Sequence, residues 1–203
     1  ISMGLSNKDI KGNFRLGAKY DPMHLGRVDV YVGKRFDLLV FDDALFNKFQ
    51  RNNWIETGYL VARTSRELFN GFYSSLYYSY DDRNSIAGYN FTPIFDSLFP
   101  GQPNVAKNFD GYKSSRIGIG FSFTPFQKFM MEPKRKVILG SKWPEFSVGY
   151  EKGVPGLFGS VINYDYVNFS ILHTFNVRTL GTSSYRFEAG KFLNRENLKR
   201  EDN

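Results

Sequence analysis

Tyr112-Lys113-Ser114-Ser115-Arg116-Ile117-Gly118-Ile119-Gly120-Phe121-Ser122-Phe123-Thr124 is the stretch that decides the fold. Ile117, Ile119, Phe121 and Phe123 alternate with Arg116, Gly118, Gly120 and Ser122. A period of two is the side-chain repeat of a β-strand, because successive Cβ atoms point to opposite faces. The same beat recurs outward from this segment. Residues 144–152 set Phe146, Val148 and Tyr150 against Glu145, Ser147, Gly149 and Glu151. Residues 161–178 set Val167, Phe169, Ile171, Phe175 and Val177 against Asn168, Ser170, Thr174 and Asn176. Residues 181–193 set Tyr185, Phe187 and Ala189 against Arg186, Glu188 and Gly190. Upstream, 12–20 carries Phe14, Leu16, Ala18 and Tyr20 on one face, and 26–35 carries Val28, Val30 and Val32. Residues 54–66 and 71–83 alternate less cleanly, since aromatics stand on both faces. Eight strands are therefore expected.

Composition agrees. Of 203 residues, 41% are hydrophobic, 18% aromatic and 23% charged, with Gly 19, which points to an all-β protein rather than to disorder. Cysteine is absent, so disulfide scaffolds, Cys-ligated zinc and thiol catalysis are excluded. His24 and His173 are the two histidines, too few for a histidine-rich metal site. The net charge of +7 could favour phosphate-bearing partners. No apolar run approaches the roughly 20 residues of a spanning helix. Residues 1–4 carry no leader pattern, so a processed chain or an internal fragment is expected.

Three features favour a transmembrane barrel over a soluble sandwich. The segments reach the roughly 9–11 residues that cross a bilayer when tilted, whereas soluble strands run to about 5–6. The polar face mixes charge with glycine and serine, as a lumen would. Tyr20, Trp54, Tyr80, Tyr112, Trp143 and Tyr150 stand near segment ends, where aromatic girdles occur. Connections alternate short (21–25, 67–70, 178–181) and long (36–53, 84–111), with Asp21-Pro22 and Asn70-Gly71 supplying turn chemistry. The 125–143 link breaks the rule, being long and basic where a short turn is due; either strands extend into it or it is a specialised turn. Leu45, Phe46 and Phe49 at helical spacing predict one short helix within 42–51, and 194–203 reads as a polar tail.

The order of segments resembles the Bacteroidota outer-membrane family that joins an amino-terminal carboxypeptidase-regulatory-like domain to a carboxy-terminal β-barrel of unassigned function. Arg51-Asn52-Asn53-Trp54-Ile55 with Glu67-Leu68-Phe69-Asn70-Gly71-Phe72 carries the resemblance. So do residues 126–140 followed by Ser141-Lys142-Trp143-Pro144, and Val148-Gly149-Tyr150-Glu151-Lys152-Gly153 with Glu188-Ala189-Gly190-Lys191-Phe192-Leu193. The resemblance implies outer-membrane residence and no chemistry. The regulatory-like domain is missing from these residues, and the family's barrel continues beyond Gly190-Lys191-Phe192; a barrel fragment is the expectation.

Other motifs are weaker. Gly153-Val154-Pro155-Gly156-Leu157-Phe158-Gly159-Ser160 lacks the Lys-Ser/Thr of a phosphate cradle and reads as a hairpin loop. Gly118-Ile119-Gly120 lacks the third glycine of a dinucleotide fingerprint. Asp42-Asp43 and Asp81-Asp82 are neighbours whose side chains diverge on a strand, so neither forms an acid–base dyad; Asp81, Asp82 and Asn84 could offer oxygens to calcium in a loop. His173 falls on the apolar face, and no Ser-His-Asp set assembles. Asp96-Ser97-Leu98 matches a short O-glycosylation pattern. Lys128, Lys134, Arg135, Lys136 and Lys142 form a basic cluster suited to lipid headgroups, to a docking partner, or to plain solvation.

The expectation is an antiparallel transmembrane β-barrel or a partial barrel wall spanning 1–193, in a Gram-negative outer membrane. Its lipid-facing residues are Phe14, Leu16, Val28, Val30, Val32, Ile117, Ile119, Phe121, Phe123, Phe146, Val148, Phe169, Ile171 and Phe175. It acts without a cofactor and without nucleic acid, as a pore or as a structural or assembly subunit of an envelope complex, with lipids and other envelope proteins as partners. The alternatives are a soluble lipocalin-like barrel or sandwich that encloses the same residues around an apolar ligand, and an outer-membrane hydrolase.

Overall fold

The computed structural model describes residues 2–4, 9–39, 50–90, 104–177 and 181–198. Eight long strands form the body: β2 (Asp9–Asp21), β3 (Gly26–Leu38), β4 (Trp54–Phe69), β5 (Phe72–Asn84), β6 (Tyr112–Phe123), β9 (Glu145–Gly153), β10 (Tyr164–Asn176) and β11 (Thr182–Asn194). A short β1 (Ser2–Gly4) flanks β2, and β7 (Lys128–Glu132) with β8 (Arg135–Gly140) makes a separate hairpin. The main sheet runs in chain order, β1-β2-β3-β4-β5-β6-β9-β10-β11, and every pairing in it is antiparallel. It is an open wall: among the described residues no ladder joins β11 to β1 or β2.

Turn chemistry sorts the connections. β2, β4 and β10 end on one side of the sheet, the short-turn end, where the β7–β8 hairpin also lies; β3, β5 and β9 end on the other, where longer stretches of chain separate consecutive strands. Gly71 adopts φ 79°, a conformation that glycine reaches without the Cβ clash. A Cβ there would sit 2.3 Å from the Thr124 carbonyl oxygen, and the Thr124 N–H donates to the Gly71 carbonyl at 2.8 Å, tying the β4–β5 turn to the end of β6. The irregular 125–143 link is this hairpin. β6 and β9 pair directly across it, from Arg116↔Gly153 to Phe123↔Phe146.

The apolar cluster is small and sits at the end of the sheet where β6 and β10 begin: Tyr112, Ile162 and Tyr164, with Phe109, Tyr166, Phe192 and Leu198 against them. Tyr112 is therefore packed inside and is not part of an aromatic girdle, because Phe109, Ile162 and Tyr164 pack against it at its end of β6. Tyr80, by contrast, is half-buried on the apolar face, where its ring lies 6.2 Å from that of Phe158. Most of the predicted helix, 42–49, and Asp96-Ser97-Leu98 lie outside the described residues; Arg51–Asn53 forms a 3-10 turn. Of the expected tail, Asn194 closes β11, and Asn197 exchanges backbone hydrogen bonds with Asn163.

Candidate membrane-facing surface and inner network

Strand register assembles the predicted apolar residues on one face. Val30, Ala62, Tyr78 and Ile117 lie side by side across β3, β4, β5 and β6. Phe121, Val148 and Phe169 do the same across β6, β9 and β10. Phe14, Leu16, Val28, Val32, Ile117, Ile119, Phe123, Phe146, Val148, Phe169 and Phe175 are exposed, Leu16 at 63%. Val30, Phe121 and Ile171 are half-buried. In water, so broad an apolar surface would be an aggregation hazard. An open depression of 390 Å³ lies on this face beside Val28, Leu76 and Ile117. Toward the short-turn end the face turns aromatic: Phe69 stacks on Phe72 at 4.7 Å, Phe72 on Phe121 at 5.9 Å, and His173 meets Tyr185 at 5.5 Å.

The opposite face is polar and more deeply buried. Asp29, Thr57, Ser79, Asp81 and Ser114 are all buried on it. Burying a carboxylate is tolerable only when it is paired, and each one is. Asp29 takes Arg27 at 2.5 Å and Arg15 at 3.1 Å; Asp81 takes Arg116. Glu151, across β9, accepts from the Tyr77 and Tyr164 hydroxyls. Glycines make room for these large side chains. A Cβ on Gly118 would fall 2.2 Å from the Tyr77 ring, and one on Gly190 would fall 2.0 Å from the Tyr166 hydroxyl. Alternating small and large inward residues is how a narrow lumen is filled. Nearer the short-turn end the filling thins to an open trough of 420 Å³, lined by Ser75, Gly120, Ser122, Ser147, Gly149 and Asn168 among others.

The rim at the short-turn end is closed by the β7–β8 hairpin. Glu67 is 2% exposed. Its carboxylate accepts from the Lys136 ammonium at 2.5 Å, the Gly71 N–H at 3.0 Å and the Gln127 amide at 3.2 Å. Lys136 also donates to Asn70 Oδ1 at 3.0 Å, and its backbone N–H donates to the Pro22 carbonyl at 3.2 Å. The hairpin thus reaches from β6 past the β4–β5 turn to the β2–β3 turn. Its tip carries a surface pair, Arg135 to Glu132 at 2.6 Å, which holds the Glu132 carboxyl below its usual range.

The predicted basic cluster divides. Lys128, Lys134, Arg135 and Lys142 are exposed, whereas Lys136 is 7% exposed and spent on Glu67, so its charge is not offered to headgroups or a partner. Burial inside an ion pair is the physical reason, and no local pattern around Lys136 announces a partner in β4. The calcium reading of Asp81 and Asp82 is corrected: the two sit within β5, Asp81 is engaged by Arg116, and Asp82 accepts from Asn84 at 3.4 Å. Among the described residues no three His, Cys, Asp or Glu side chains converge on a metal position. His24 pairs with Asp21 at 3.0 Å in the first turn, and His173 Nε2 lies 3.1 Å from the Lys142 carbonyl.

The chain is matched over residues 1–203 by the family of unknown function (DUF5686) C-terminal domain. The chain belongs to that family. No curated protein and no solved structure matches it. The DUF5686 C-terminal domain is thus a β-rich unit whose named family carries no assigned activity, and its own geometry supplies the functional argument. No described helix is long and apolar enough to cross a membrane.

Proposed function

We propose that this domain is a wall of an outer-membrane β-barrel that works without catalysis, as a structural or assembly subunit of an envelope complex. One observation carries the reading: apolar side chains such as Phe14, Leu16, Ile119, Val148 and Phe169 are exposed on one face of the sheet, while Asp29, Thr57, Ser79, Asp81 and Ser114 are buried on the opposite face. A soluble protein hides the first set and displays the second; a chain dissolved in hydrocarbon does the reverse. The lipocalin-like alternative needs Phe14, Leu16 and Phe169 inside, and all three are exposed. The family resemblance supports residence in a Bacteroidota envelope.

The test is fractionation. Expressed with a leader in a Gram-negative host, the domain is expected to resist carbonate washing and to need detergent for release; recovery in the wash overturns the reading. The polar trough beside Ser122 and Asn168 favours a second role, a narrow water-filled pore. Conductance across a planar bilayer decides between the two: steady steps assign a pore, and a flat trace assigns a scaffold.

A further inference from the structure

We propose that the β7–β8 hairpin binds anionic phospholipid headgroups in the leaflet at the short-turn end. This rests on the membrane reading above and adds a ligand class and a place. Three observations converge. First, Lys128, Lys134 and Lys142 are exposed, and no carboxylate among the described residues pairs with them; Glu67 and Glu132 are consumed by Lys136 and Arg135. Second, the roots of the hairpin carry Phe126 and Trp143, 78% and 55% exposed, with rings 5.7 Å apart. Third, this pair continues the aromatic end of the lipid-facing surface, since the carbonyl of Lys142, next to Trp143, contacts His173 on β10. Hydrocarbon-facing residues, then aromatic rings, then lysines reproduce in order the acyl, interfacial and headgroup layers of a bilayer. The buried Glu67–Lys136 pair holds the hairpin against the rim and so keeps those lysines at headgroup height.

Trp143 and Trp54 are the two tryptophans, and Trp54 opens β4 at the opposite end. Trp54→Phe therefore leaves a reporter at the hairpin. The protein is reconstituted in mixed phosphatidylcholine–phosphatidylglycerol vesicles, with one lipid or the other brominated at its upper acyl positions. A lysine held at an anionic surface is worth about five-fold in local preference, so quenching of Trp143 by brominated phosphatidylglycerol is expected to exceed that by brominated phosphatidylcholine about five-fold or more. Lys128→Gln/Lys134→Gln/Lys142→Gln is expected to bring the ratio to one. If Trp54→Phe folds poorly, subtracting the Trp143→Phe signal from wild type gives the same quantity. A wild-type ratio near one overturns the proposal and leaves the cations to an acidic protein surface. A ratio unmoved in the triple variant overturns it too. Protein that washes out of pure phosphatidylcholine vesicles refutes the membrane reading itself; protein that stays embedded with a ratio of one refutes only the headgroup site.

Discussion

Gly118 shows how much a single hydrogen decides in this sheet. Its neighbour on β5 is Tyr77, whose ring lies across it to reach Glu151. Gly118→Ala would push that ring aside and disturb the Glu151 contact. Overpacking of this kind costs about 1–3 kcal/mol. Urea titration in vesicles should report the loss, and Gly118→Ala should become near neutral when Tyr77 is already Ala, since the clash then has no partner. The glycines were legible in the sequence as small inward residues. Their partners were not, because which ring covers which glycine is set by register between strands distant in the chain.

At the scale of elements, the hairpin depends on one ion pair. Removing one partner of a buried pair costs about 3–5 kcal/mol because the other charge is stranded. Glu67→Ala should therefore release β7–β8 from the rim and open it to protease, while Glu67→Leu/Lys136→Met should restore much of the protection. Equal cleavage in the wild type and Glu67→Ala would show that the pair does not hold the hairpin. Strand positions were readable because alternation is strong: the 26–35 segment became Gly26–Leu38, and the 181–193 segment became Thr182–Asn194. β7 and β8 were not. Phe129-Met130-Met131 and Val137-Ile138-Leu139 are unbroken apolar runs with no period of two, and Pro133-Lys134 is not a favoured two-residue turn. The partner of Lys136 lies 69 residues upstream, beyond any local pattern.

For the molecule as a whole, the solvent of the outer face is the deciding quantity, and depth reveals it. Ile119→Arg at mid-strand should cost about 2–4 kcal/mol in a bilayer, and Phe175→Arg near the strand end about 0–1 kcal/mol, measured by reversible unfolding from vesicles. Were the face in water, both exposed positions would shift stability by no more than about 0.5 kcal/mol. Two-facedness was legible from the sequence, since period two sorts side chains without any knowledge of pairing. Between a closed barrel and a partial wall the sequence left the choice open, since strand count alone does not say whether the first and last strands meet.

Direct pairing of β6 with β9 has a consequence for how this chain can change length. Parity beyond Glu145 is set by the β6–β9 ladder and is blind to the number of residues spliced between them. Lengthening or trimming 124–144 would leave Phe146, Val148 and Phe169 on their present side, whereas one residue added inside β9 would turn the rest of that strand over. The segment is a natural graft point in an otherwise register-locked wall.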